Sequence, residues 1–191
     1  MSKQYSTLDK IREYWSQRSS SYDQTPGHEI FLQQEKSAWH KFFRKHLGNG
    51  SDRKALDIAC GTGVISHLLY DIGFEVTAID CSPEMLKVAE QKAKTREAEI
   101  RFIIGDATQT DEPSHSYDVI VMRHVVWTLL NPKEAFAHWR KLLKPGGLLL
   151  IIDGNFIKKS SALKAIISAR SLMEKLHLIE PKITSTNMDD L

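Results

Sequence analysis

The chain has 191 residues, room for one domain and an appendage at roughly 150 residues per domain but not for a multidomain machine. Hydrophobic residues make up 41% and charged residues 26%, so a core can be buried and a wholly disordered protein is excluded. Lys and Arg number 26 against 24 Asp and Glu, and the formal charge of +2 lacks the basic excess of a duplex-DNA binder.

Residues 1–15 are polar and charged, with no apolar signal core. No stretch approaches the roughly 18 apolar residues of a membrane span, so the expected compartment is the cytoplasm. Two helices come first. Leu8 to Ser19 sets Leu8, Ile11, Tyr14 and Trp15 near helical spacing, and a second helix is predicted from His28 to Leu47 on Phe31, Trp39, Phe42 and Phe43. Gly48-Asn49-Gly50-Ser51 then marks a boundary, so residues 1–50 form an N-terminal helical segment ahead of the main body at 51–156.

From Lys54 onward, short apolar runs alternate with helical stretches, the pattern of a parallel α/β sheet. Five strands are predicted: Ala55 to Ala59, Glu75 to Ile79, Ile100 to Ile104, Tyr117 to Met122 and Leu148 to Ile152. Ser82 and Pro83 give the helix after the second strand an N-cap and a first-turn proline. Asn131-Pro132-Lys133-Glu134 repeats that grammar before the last strand, with Glu134 at the capping-box position. Lys144-Pro145-Gly146-Gly147 stops that helix. Residues 157–191 carry a helix from Ile157 to His177, whose basic residues read as a solvated face, and a tail.

The first strand runs into Ala59-Cys60-Gly61-Thr62-Gly63 and then a helix at Val64. Glycines in such a turn permit tight backbone and close approach of a ligand, and the helix start offers unpaired amides. Asp80 ends the second strand, 19 residues after Gly61, where a carboxylate can accept both hydroxyls of a ribose, so a nucleoside is expected. The third glycine of a dinucleotide fingerprint would fall at Ser66, which disfavours NAD. Asp57 beneath the turn suits a cationic ligand better than a pyrophosphate. Asp106, in Gly105-Asp106-Ala107 after the third strand, can accept a bond from an adenine amino group. The alternative is that Asp57 and Asp106 only cap turns.

These residues, with the Tyr-Asp-Val-Ile-Val strand and the Leu-Lys-Pro-Gly-Gly turn, resemble the class I S-adenosylmethionine-dependent methyltransferases over Tyr14 to Asp153. Trp15-Ser-Gln-Arg18-Ser-Ser-Ser-Tyr22-Asp23 is similar to the amino-terminal run of the small-molecule, quinone-biosynthesis type. The resemblance implies a Rossmann-like, doubly wound, mostly parallel sheet in the order 3-2-1-4-5, with helices on both faces and an N-terminal helical lid. It implies S-adenosyl-L-methionine as cofactor, no metal, and a small-molecule acceptor methylated on oxygen, nitrogen or carbon. Ala59, Gly61 and Gly63 would line the methionine end of that donor, Cys60 and Thr62 of the same turn would also bind it, and Asp57 would support its ammonium, directly or through water. Asp80 would hold the ribose, Cys81 and Met85 would lie against the adenine, and Gly105, Asp106 and Ala107 would meet its amino edge. Arg123 and His124 would border both the methionine end of the donor and the acceptor, with Arg123 counted among the donor-binding residues, and Tyr22 would close over the donor. His124 is the candidate general base, although a histidine there serves equally to pack or to bind substrate. Trp127 either stacks on a flat acceptor or packs in the core. Cys60 and Cys81 fit neither a disulfide framework nor a zinc cluster, and read as free buried thiols.

Relatives of this type follow the fifth strand with a helix and an antiparallel strand pair. That pair is expected to be absent here, leaving an apolar fifth-strand edge to be covered by the tail, by a second copy in a homodimer or by further chain. An S-adenosylmethionine-binding module without turnover is the alternative function. An NAD-dependent oxidoreductase and an RNA methyltransferase are disfavoured.

Overall fold

The computed structural model describes residues 6–25 and 27–153. The helix and tail expected after Asp153, and the question of a further strand pair, lie outside the described residues. Five helices are described: α1 (Thr7–Ser16), α2 (Gln33–Leu47), α3 (Val64–Asp71), α4 (Pro83–Thr95) and α5 (Pro132–Leu142). The strands are β1 (Lys54–Ile58), β2 (Glu75–Asp80), β3 (Ile100–Ile104), β4 (Tyr117–Arg123) and β5 (Leu143–Ile152). Short 3-10 turns occupy Tyr22–Gln24 and Val126–Thr128.

The strands form one parallel sheet in the order β3-β2-β1-β4-β5, as expected. The chain leaves β1 toward β2 on one side and β4 toward β5 on the other, which opens a crevice at the carboxyl ends of β1 and β4. Side chains alternate across the sheet. Leu56, Ile58, Ile79, Ile120 and Met122 pack with Ala135, Trp139 and Leu142 of α5 on one face. Asp57 points to the opposite face, where Ser66 of α3 reaches it, so helices flank both sides. Trp139 is fully buried and its indole N–H donates to the Ala107 carbonyl at 2.7 Å, which ties α5 to the turn after β3. A tryptophan held this way is worth about 3 to 5 kcal/mol against alanine.

Several boundaries moved. Ser82 and Pro83 do start α4, with Ser82 Oγ accepting from the Met85 N–H at 3.1 Å. Asn131, by contrast, makes no side-chain cap to α5, and its carbonyl accepts from the Ala135 N–H instead. α2 begins at Gln33 and not at His28, because Gly27 turns the chain with φ +82° and Leu32 is extended. β5 begins at Leu143: it pairs with Tyr117, and a register shift between Tyr117 and Val119 absorbs the Lys-Pro-Gly-Gly run expected to be a turn. α2 is also part of the core, burying Trp39, Phe43 and Leu47. Leu148 and Ile151 on β5 remain 43% and 37% exposed. Among the described residues no helix is long and apolar enough to cross a membrane.

Candidate functional site

The backbone after β1 is built for close approach. Ala59, Gly61 and Gly63 take φ of +56°, +54° and +83°, a conformation that costs a residue with a Cβ and concentrates at ligand sites. Gly63 starts α3, and a Cβ there would lie 3.0 Å from Ala89 Cβ, so the turn sits hard against α4. Gly61 faces outward, and the nearest group to a Cβ at that position is Tyr22 Cε1 at 3.8 Å.

Asp80 holds this turn. One carboxylate oxygen accepts from the Gly61 N–H at 2.8 Å and the other from the Ser82 N–H at 2.9 Å, leaving lone pairs on both oxygens. Burial raises the Asp80 carboxyl, against the lowering effect of these backbone bonds. Asp57 is 1% exposed, and Ser66 Oγ donates to it at 2.5 Å. Burial, reinforced by the charge of Asp80, pushes the Asp57 carboxyl up to about 7 despite that bond. Neither Asp57 nor Asp80 forms an ion pair among the described residues. Ser66, read in the sequence as a missing glycine, is the partner of Asp57, and the serine nine residues after the aspartate was its only signal.

The neighbouring strand ends behave differently. Gly105 donates its N–H to the Asp80 carbonyl at 3.0 Å. Asp106 Oδ1 accepts from the N–H and the hydroxyl of Thr108, both at 2.8 Å, so this oxygen caps the turn as the alternative reading had it. Met85 is buried in α4. Burial raises both thiols, Cys60 well above the usual range and Cys81 to about 11, and both cysteines are free of disulfides. Neutral thiols of this kind are poor nucleophiles.

The amino-terminal segment lies over the turn. Arg12 Nε donates to the Cys81 carbonyl at 2.9 Å, and the Ser16 and Ser82 hydroxyls bond at 2.9 Å. Tyr22 is raised by burial, and the charges of Arg123, Asp80, Asp23 and Asp57 all act on it, which places all of them around one site. From Tyr22 a row of rings runs toward the crevice: His28 at 4.2 Å between centroids, then His124 at 6.3 Å from His28. His124 holds φ +59°, fixed by its N–H donating to the Ile152 carbonyl at 2.9 Å, and its Nδ1 lies 3.7 Å from Asp153 Oδ1. Burial, then the Arg123 charge, lowers both His28 and His124 below the ordinary imidazole value. Arg123 itself donates to the Gly27 carbonyl. Trp127 is 58% exposed, which removes the core-packing reading. His28, Asp23 and Arg12 were missed by the sequence reading because their partners are remote in the chain. A cavity of about 460 Å³ opens between α2, α3 and α4, lined in part by Glu29, Lys36, Val64, His67, Lys92 and Arg96.

Comparison with known proteins gives these features a family context. The family described as "Methyltransferase domain" matches residues 56–151, which takes in every strand and the glycine turn. The demethylmenaquinone methyltransferase of Renibacterium salmoninarum is 30% identical over 145 residues, covering 76% of this chain and 59% of that one. The malonyl-[acyl-carrier protein] O-methyltransferase of a Paenibacillus species is 30% identical over 152 residues, covering 75% and 54%. The chain thus spans little more than half the length of these relatives. Among solved structures, the PH0226 protein of Pyrococcus horikoshii is 26% identical with a TM-score of 0.62, covering 91% of this chain and 74% of that one.

Proposed function

Because the chain belongs to the methyltransferase-domain family, we propose that it binds S-adenosyl-L-methionine on the Ala59 to Gly63 turn and methylates a small-molecule acceptor on oxygen, nitrogen or carbon. The observation that carries this reading is the pair of buried carboxylates, Asp57 and Asp80, which form no ion pair among the described residues and lie beside a glycine whose open side faces Tyr22. A ligand bearing sulfonium and ammonium charge offsets their burial, whereas a pyrophosphate would add like charge. When bound, this donor supplies a methyl already activated by its sulfonium.

The chain's own residues then bind, orient and exclude water. Asp80 has lone pairs left for ribose hydroxyls, and Gly61 and Gly63 let the methionine end approach the backbone. Asp57 supports the ammonium, directly or through water. Cys81, Met85, Gly105, Asp106 and Ala107 form the adenine side, and Tyr22 covers the turn. Arg123, His124 and the exposed ring of Trp127 form the acceptor side. His124, neutral at pH 7 through its lowered pKa, can take the proton that an O–H, N–H or C–H acceptor loses, while alignment supplies much of the rate. The two curated relatives are named for different acceptors, a demethylmenaquinone and a protein-carried malonyl group, so the donor side is the common element. The same proposal includes action in the cytoplasm and pairing of two copies through the β5 edge or the C-terminal segment.

Calorimetric titration with S-adenosylmethionine, S-adenosylhomocysteine and NAD tests this. Micromolar binding of the first two and none of NAD is expected, with Asp80→Asn weakening affinity roughly tenfold or more. Binding of NAD, or no binding by folded protein, contradicts it.

A further inference from the structure

The contacts that close the amino-terminal segment over the glycine turn converge on a residue outside the site itself. Asp23, which follows Tyr22, divides its carboxylate: Oδ1 accepts from Thr62 Oγ1 at 2.5 Å, inside the turn, and Oδ2 pairs with Lys92 Nζ at 2.6 Å. The same Lys92 ammonium bonds Glu29, so one side chain on α4 gathers a carboxylate from each side of the bend at Gly27. The Lys92, Asp23 and Glu29 side chains are only 25%, 23% and 18% exposed, so these ion pairs are better shielded than surface ones. On the far side of the bend Arg123 holds the Gly27 carbonyl. Tyr22, carried between these fastenings, stands 3.8 Å from where a Cβ on Gly61 would be. A ligand that approaches the turn from the Gly61 side therefore meets the Tyr22 ring.

We propose that Lys92 is the clasp of a strap carrying Tyr22, Asp23 and Glu29, and that breaking its two ion pairs limits how fast donor enters and product leaves. This rests on the donor reading above. Lys92 is a positioning residue: it acts through Asp23 and Glu29, and Asp23 in turn holds Thr62. The strap opens when both carboxylates release the ammonium and Thr62 loses its acceptor, and no covalent change is involved.

The test is stopped-flow dissociation of S-adenosylhomocysteine, read by the fluorescence of Trp15, whose ring lies 5.9 Å from Tyr22. Lys92→Met, which removes both ion pairs, is expected to speed dissociation about tenfold or more. Lys92→Arg should return the rate to within about threefold, since the charge and its reach survive. Lys144→Met serves as the control, because it breaks a comparable 2.7 Å pair with Asp118, which joins the amino-terminal ends of β5 and β4 and touches no strap residue, and should leave the rate unchanged. Equal rates in wild type and Lys92→Met overturn the proposal, as does an equal acceleration by Lys144→Met. A second arm needs no ligand. Amide hydrogen exchange at Gln24 and Thr25, which bond back to Ser21 and Tyr22, should quicken about tenfold in Lys92→Met and not in Lys144→Met. Unchanged exchange there overturns the clasp. If wild-type protein takes up no S-adenosylhomocysteine, the donor reading fails, and the exchange arm still decides whether Lys92 fastens the strap.

Discussion

Burial of the Asp57 carboxyl, with Ser66 Oγ as its side-chain donor, raises its pKa from 3.8 to about 7. Between those values the folded chain binds a proton that the unfolded chain has lost, so stability present below about pH 4 is lost as pH rises through about 7. The full difference amounts to about 4 kcal/mol. Asp71, Asp118 and Glu112, held below their ordinary values by basic neighbours or backbone bonds, act in the opposite sense, but they are common to wild type and variant. Asp57→Asn should therefore be more stable than wild type at pH 8 by up to about 4 kcal/mol, in denaturant melts, with the gap closing toward pH 4. A gap independent of pH would show that Asp57 is ionised at no cost. The same carboxyl makes binding of a cationic donor release a proton near pH 6.5, measurable by calorimetry in buffers of different ionisation enthalpy. The sequence displayed Asp57 and Asp80 as acids at strand ends. It did not display what sets their charge, because burial is a property of the assembled sheet.

At the scale of elements, the start of α4 joins fold to site. Ser82 is fully buried; its hydroxyl caps the Met85 N–H and bonds Ser16 of α1, while its own N–H bonds Asp80. Ser82→Ala should cost about 1 to 2 kcal/mol in melts and loosen α1, whereas Asn131→Ala at the start of α5, where no side-chain cap exists, should cost less than about 0.5 kcal/mol. Equal losses would mean that the two starts are equivalent, as their sequences implied. Both starts look alike because Asx or Ser followed by Pro is a local signal, while the hydrogen bond depends on local φ and ψ: Ser82 is extended and Asn131 has φ −133° and ψ 77°. Strand cores were legible from their apolar runs. The early start of β5 was not, because its residues Leu143 to Gly147 owe their strand geometry to a bulged pairing with β4.

Over the whole molecule, the sheet order follows from apolar strands alternating with helices and short connections, information carried locally along the chain. The site's floor was legible for the same reason, since the glycine turn and Asp80 each end a strand. Its roof was not. Arg123 meets Gly27 across 96 positions, Asp23 meets Thr62 across 39, and His28 lies beside His124 only once α1 and its following turn have docked. Nothing local in a polar amino-terminal stretch specifies those partners. The central claim is that the donor rests on the Ala59 to Gly63 turn beside Asp80. The most direct measurement is amide chemical-shift mapping of isotopically labelled protein titrated with S-adenosylhomocysteine. The largest shifts are predicted at Gly61, Gly63, Cys81 and Ser82. Shifts centred instead on Gln33, Lys36 and Arg96, around the cavity between α2, α3 and α4, would contradict the account.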